Sequence, residues 1–430
     1  MSEVRTLVNR SSVSLVVRVL GLALSFPATI LLSRSLGIDE FGAYSIAFSY
    51  ASIAAIAVRL GFDNTATKFV AIYRQNSAGR PLRAFFRYSV RTMLAGWASL
   101  CLAAMAWLAV SPTMPLLLAS GAAFVAISLA LIGVLSAVLR SFDHIFESQF
   151  YEQLLRPLLI IALLGGACLV GAKVDAAAGM LFTAASLAAA TLLAFWRSTR
   201  LISSVPANGE LEGQRALWFR MGWVVAIMSV VLETLNQIEV ILLGALASPA
   251  ASALFAAPQR LSSLAALGMT AIVTVTGPRI AAAFHSGDKE GLAKIAQVSA
   301  RLCFGSTLAL AAGLLLVGPW LLQLWGKEFT ASAPVLNVLL IGALANAATG
   351  SAGYLTILTG HERAALGILL VTLVLTVALE LVLIPQFGAV GAASGAAFGL
   401  TLWNVVMALY VRRKLGIDCT VIGRPVASPV

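Results

Sequence analysis

The chain has 430 residues, 60 % of them apolar and only 11 % charged, with a net charge of +11. That mixture excludes an ordinary soluble domain. It does not argue for a nucleic-acid partner either, because the basic residues are spread over short connections between apolar runs, where they face anionic lipid headgroups.

Twelve apolar runs predict membrane-crossing helices over residues 13–36, 43–62, 92–112, 116–139, 157–172, 177–196, 222–246, 250–277, 302–322, 334–358, 365–385 and 389–411. A helix rising ~1.5 Å per residue needs ~20 residues to cross the hydrocarbon, so the fifth run is the shortest candidate. The fold class is therefore an all-α polytopic membrane protein of about twelve helices. Its expected organisation is a six-helix bundle over 1–205, a linker over 206–221, a second six-helix bundle over 222–411 and a tail over 412–430. Of the 29 Lys and Arg residues, 23 fall on alternate connections and the two termini, which the positive-inside rule assigns to the cytoplasm. No cleaved signal peptide is evident, the four cysteines form no disulfide framework, and no Cys/His spacing suits a metal.

In chain order, span 1 carries Arg18 on its inner half, ~10 Å from the midplane, and Pro27, which removes a backbone donor and bends the helix. Gly37 and Gly42 bracket an outer turn with Asp39 and Glu40. Arg59 and Asp63, four apart, read as a structural pair at the inner end of span 2. Residues 63–91 mix basic residues with Phe69, Ile72, Tyr73, Leu82, Phe85 and Phe86, the pattern of an interfacial amphipathic helix pair. The turn-rich 197–221 stretch holds the linker.

Span 7 places Glu233 near the bilayer centre, with Ser229, Asn236 and Gln237 on the same face. An ionisable group at that depth is a functional candidate by default. Arg260 in span 8, ~5 Å outward of centre, comes within reach of Glu233, either as a buried structural pair or as part of a binding cavity. Glu239 and Glu380 lie in the outer halves of spans 7 and 11, and with Glu233 they are the ion-coupling candidates. Asn346, beside Gly342 and Gly350, suits an interhelical hydrogen bond, and Gly391, Gly395 and Gly399 make a smooth face for a close helix neighbour. Shifting the chain by 210 residues lays LGIDEFGAYSIA (36–47) on LASPAASALFAA (246–257), as a parallel repeat of two halves requires.

Three stretches carry a family resemblance: LLSRSLGIDEFGAYSIA with LGFDNTATKFVAIY, LFAAPQRLSSLAALGMTAIVTVTGPRIAAAFHSGDKEGL, and the late LTGHERAALGILLVTLVLTVALELVLIPQFGAVGAASGAAFGLTLWNVVMALYVRRKLGI. The chain resembles the polysaccharide-transport flippases of the multidrug/oligosaccharidyl-lipid/polysaccharide (MOP) exporter superfamily, the Wzx-like translocases. The resemblance implies that Arg18 and Arg260 match cavity arginines of the first and eighth spans and attract the diphosphate of an undecaprenyl-linked oligosaccharide. Glu233, Asn236 and Gln237 complete the expected substrate-binding set. The function it implies is translocation of that lipid across the bacterial cytoplasmic membrane by alternating access, for O-antigen, capsule or exopolysaccharide synthesis, with a proton or sodium as coupling ion. Polysaccharide-assembly proteins and membrane lipids are the expected partners, with no cofactor and no catalytic residue. Alternatives are a multidrug cation antiporter of the same superfamily and a membrane-embedded glycan polymerase, which needs catalytic groups on larger outward loops.

Overall fold

The computed structural model describes the backbone of residues 2–111, 114–209, 214–350 and 352–423. Side chains are described throughout these except at 2–16, 18, 19, 214–216, 220, 221, 354, 357 and 358. Helices follow one another as α1 (Ser2–Leu36), α2 (Ile38–Arg59), α3 (Phe62–Gln75), α4 (Gly79–Val110), α5 (Leu116–Ser141), α6 (Ile145–Gln149), α7 (Leu155–Leu169) and α8 (Ala176–Ser203). They continue as α9 (Gln214–Leu246), α10 (Pro249–Ala265), α11 (Leu267–His285), α12 (Lys289–Leu322), α13 (Ala333–Ala348), α14 (Ala352–Leu358) and α15 (Glu362–Leu415). The extended pairing among the described residues is a lone bridge between Ala78 and Ala207.

Among the described residues, ten helical runs are long and apolar enough to cross a membrane, and Leu20–Leu36 adds a shorter one. The longest run, α15, reverses at Gly388, whose φ of 55° and ψ of −130° are closed to other residues, so it supplies two spans. The result is a multi-pass, all-α membrane protein, and with the two arms of α15 counted separately the described residues supply twelve candidate crossings. The chain divides into two compact units, Met1–Glu233 and Thr234–Val430, and α9 runs through the division.

In the first unit, 78 % of the apolar stretch of α5 is buried against 6 % for that of α4, so α5 is the core around which α2, α3 and α8 pack, while α4 faces lipid. In the second unit α13 packs against α10, α12 and α15, and α11 lies mainly on α12.

Four elements depart from the hydropathy reading. The fifth span starts at Ile145, well before residue 157, and includes a π-helical turn at Phe150–Leu154. Its first turns carry polar side chains that other helices satisfy: Glu147 accepts from Arg197 at 2.6 and 3.0 Å, and Glu152 lies 3.6 Å from Arg140. Span 8 breaks at Ala266 between α10 and α11. Span 10 breaks after Ala348, where Gly350, at φ 65°, sits so close to the Cys419 carbonyl and Ala300 that a Cβ would collide with both. The stretch 63–91 is not a pair of membrane-lying helices. Its apolar face, with Phe62, Phe69, Tyr73, Leu82 and Phe85, is buried in the protein with Trp218, whose indole N–H donates to the Tyr73 hydroxyl at 2.9 Å. Ile72 is exposed. An amphipathic helix with a buried aromatic face reads the same in sequence whether lipid or protein covers it.

Both units repeat one local device. Arg83, at the start of the third span, donates to the Val205 carbonyl at 2.7 Å, and the backbone N–H groups of Gly79 and Arg80 donate to the carbonyls of Pro206 and Asn208. Arg301, at the start of the ninth, donates to the Gly423 and Val421 carbonyls at 3.3 and 3.4 Å, and Val421 N–H donates to the Ala348 carbonyl. In each unit the arginine ties down the strand of chain that leaves the sixth helix of its set.

Candidate functional site

The first polar cluster is built on the α9–α10 hairpin. Ser248 caps α10 by accepting from Ala251 N–H, the Ser252 hydroxyl donates to the Val240 carbonyl at 2.9 Å, and the Gln259 amide donates to the Asn236 carbonyl at 2.9 Å. These links fix an antiparallel register that brings residues 236 and 237 of α9 level with Gln259 and Arg260 of α10. Asn236 is exposed, whereas Gln237 and Arg260 are half-buried and both engaged by neighbours. Glu233, also half-buried and engaged, is the last residue of the first unit, and Arg260 belongs to the second. Arg18 lies in α1, and its side chain is outside the described residues.

The second cluster brings together two acids that the sequence reading treated separately. Glu239 on α9 is 2 % exposed and Glu380 on α15 is fully buried, and Glu239 lies within electrostatic reach of Glu380. Glu239 Oε2, both Glu380 carboxylate oxygens and the hydroxyl of Thr376, one turn from Glu380, have no hydrogen-bond partner. The close fit here comes from the glycine stripe. The two arms of α15 fold back at Gly388 so that Gly395 lies against Glu380, Gly399 against Thr376 and Gly391 against the Leu383 carbonyl, each closer than a Cβ allows. Asn346 of α13 reaches the Met269 sulfur of α11 at 3.7 Å.

A third feature, in the first unit, escaped the sequence reading. The early start of the fifth span moves Arg156 from the membrane edge into the span, where its guanidinium lies 5.1 Å from the centre of the Phe48 ring, a cation–π geometry. The Tyr44 hydroxyl, one turn from Phe48, meets that of Thr183 at 3.0 Å. The signal was present in the sequence, since a helix started at residue 145 puts Arg156 about 16 Å along it. The polar content of 145–156 hid it. By contrast Arg59 is spoken for: it pairs with Asp63 at 3.1 Å, donates to the Leu129 carbonyl at 2.8 Å, and fits only because Gly133 has no side chain.

Two acids on the connections between spans, Glu40 and Asp175, have structural roles. Glu40 accepts from Ala176 N–H at 2.8 Å and Asp175 accepts from Ala178 N–H at 2.8 Å, so together they cap the start of α8. A membrane-facing groove between α2, α4 and α5, lined by Tyr50, Trp97, Trp107 and small residues, is almost wholly apolar and offers no grip for a polar ligand.

The sequence profile of the family described as "Polysaccharide biosynthesis protein" matches residues 7–284. The chain belongs to that family. No curated protein matches it in sequence. Among solved structures, this polysaccharide biosynthesis family member is similar to an inward-facing multidrug resistance MATE family transporter of the MOP superfamily, with a TM-score of 0.73, 16 % identity and 94 % and 98 % of the two chains covered. It is also similar to the lipid II flippase MurJ in an inward closed conformation, with a TM-score of 0.67, 12 % identity and 94 % and 87 % covered. A third neighbour is a MOP superfamily transporter from Pyrococcus furiosus Vc1 (DSM3638), described by a reverse polarity of its binding pocket that suggests a different function, with a TM-score of 0.67, 16 % identity and 95 % of each chain covered. At such identities the likeness is one of fold. The family member therefore has the MOP transporter fold, and its intramembrane polar residues are to be read within that frame.

Proposed function

We propose that the protein is a flippase that moves an undecaprenyl-diphosphate-linked oligosaccharide across the bacterial cytoplasmic membrane by alternating access, with both termini in the cytoplasm, for assembly of a cell-surface polysaccharide. The observation that carries this reading is membership of a polysaccharide biosynthesis family in a chain whose fold it shares with a lipid flippase. Arg260, with Asn236 and Gln237 level with it across the α9–α10 hairpin, is the primary headgroup contact. A guanidinium offers diphosphate a planar, bidentate donor fork at a depth where water is scarce. In the first unit, Arg18 and Glu233 are the separate substrate-binding candidates, and Arg156 is a further cation of that unit available to substrate.

Glu239 and Glu380 serve as the coupling site. Two carboxylates buried together with three of their four oxygens lacking donors call for a bound cation, and a proton or a sodium ion supplies the exchangeable charge. The same acid pair is what favours a second reading, a multidrug cation antiporter, since an antiporter also needs a protonatable or cation-binding acid. The family match weighs against it. A glycan polymerase is disfavoured because Glu40 and Asp175 on the outer turns are occupied as helix caps.

The test is complementation of a strain lacking the protein, reading lipid-linked repeat units in each leaflet. Arg260→Ala and Arg260→Glu are expected to lower translocation tenfold or more, equivalent to ~1.4 kcal/mol, while membrane levels of protein stay normal. Arg260→Lys restores part of the flux, because a point charge lacks the fork. Wild-type flux in Arg260→Ala removes Arg260 from the site, and normal glycan translocation in the deletion strain removes the flippase reading itself.

A further inference from the structure

A groove of about 560 Å³ runs along the membrane-facing seam of α11 and α12 in the second unit. Its one polar end carries Arg279 and Lys294, both exposed and neither in an ion pair among the described residues. Beyond them the walls are aliphatic. On α11 the lining reads Arg279, Val275, Ala271 at four-residue intervals, and on antiparallel α12 it reads Lys294, Val298, Leu302 at the same interval. Each helix thus presents, on one stripe, a cation at the membrane surface followed by two apolar residues deeper in. Val275, Val298 and Leu302 are 60 %, 47 % and 54 % exposed, so protein leaves this apolar wall uncovered. The floor is rigid: the Thr276 and Ser299 hydroxyls meet at 3.1 Å, and Gly277 and Ile280 are buried behind them.

We propose that this groove is a binding site for an anionic phospholipid, with its phosphate on Arg279 and Lys294 and an acyl chain between Val275 and Val298. Charge and polarity order choose the occupant. Two cations converge on one end and no acid lines the groove. The acids of the neighbouring turn stay outside it, with Asp288 held by Gly291 N–H at 2.8 Å. A cation-then-aliphatic order repeated on both helices matches an amphiphile standing in one leaflet, and the stretch from Arg279 to Ala271 is ~12 Å, within the length of a single leaflet's chains. Basic pockets between helices at a membrane surface select anionic headgroups in this way. Under the orientation proposed above the leaflet is the inner one, but the site requires neither that orientation nor the flippase reading.

Native mass spectrometry of the delipidated full-length protein, titrated with dioleoyl phosphatidylglycerol or dioleoyl phosphatidylcholine, tests it without any transport readout. The wild type is expected to bind its tightest phosphatidylglycerol about ten- to thirtyfold better than phosphatidylcholine. Arg279→Ala with Lys294→Ala abolishes that preference, whereas the charge-keeping Arg279→Lys with Lys294→Arg retains it and controls for folding. Val298→Trp, which fills the groove, weakens both lipids. Glycerol 3-phosphate without chains does not compete at millimolar concentration. Equal affinity for the two lipids in the wild type, an undiminished preference in the double alanine variant, or full displacement by glycerol 3-phosphate overturns the proposal.

Discussion

A carboxylate sealed inside a span is costly unless something neutralises it, and Glu239 and Glu380 are sealed together with three of their four oxygens lacking hydrogen-bond partners. Removing one charge while keeping the shape therefore separates coupling from packing. Glu380→Gln and Glu239→Gln are expected to fold at least as stably as the wild type, because each relieves like-charge burial. In proteoliposomes carrying an imposed pH or sodium gradient, both variants lose the dependence of flux on that gradient. A wild-type gradient response in Glu380→Gln removes the pair from coupling. Sequence alone ranked these acids by depth along their helices, but it had no means of bringing them within electrostatic reach of each other, since that depends on tertiary packing. Arg156 shows the opposite failure: the depth itself was misjudged, because Glu147 and Glu152 interrupted the apolar pattern while their partners Arg197 and Arg140 stood on other helices.

At the scale of elements, hydropathy marked the crossings and missed the breaks within them. A helix broken at Ala266 keeps its apolar composition on both sides, so nothing in the pattern changes there. The glycines were more informative. The four-residue stripe of Gly391, Gly395 and Gly399 promised a close neighbour, and the neighbour is the preceding arm of the same hairpin. That hairpin depends on Gly388, whose backbone lies in a region that costs other residues ~1–3 kcal/mol. Gly388→Val is accordingly expected to lower the thermal unfolding temperature in detergent and, by shifting the arms, to loosen the wall around Glu380. Gly367→Val, on the first arm of the same helix with open space around it and ordinary helical backbone, is the matched control and changes stability little. Equal melting of the two variants would mean that the turn tolerates a side chain.

At the scale of the whole molecule, the sequence placed its division at the polar linker over 206–221, whereas the compact units part at Glu233 within α9, and each unit carries its own arginine anchor, Arg83 or Arg301. Such anchors are invisible to hydropathy because the groups they satisfy are backbone carbonyls. The anchored segments, 204–209 and 417–423, lie on one side of the membrane if each unit contributes an even number of crossings, and with Arg156 moved into a span 22 of the 29 basic residues favour that side as cytoplasmic. Single cysteines decide this. Ser204 and Ala331 are both exposed, so burial does not confound either, whereas Ser332 next door is buried with its hydroxyl on the Phe329 carbonyl and would report packing instead of sidedness. The native cysteines must be replaced first: Cys168 is exposed, although Cys419 is buried with its thiol pushed up to about 12 by desolvation and, secondarily, by Asp418. In that background, an impermeant maleimide applied to intact cells is expected to label Ala331→Cys and to reach Ser204→Cys only after permeabilisation. The reverse pattern would invert the protein in the membrane and put the headgroup's entry at the opposite face, while leaving every contact within each unit as described.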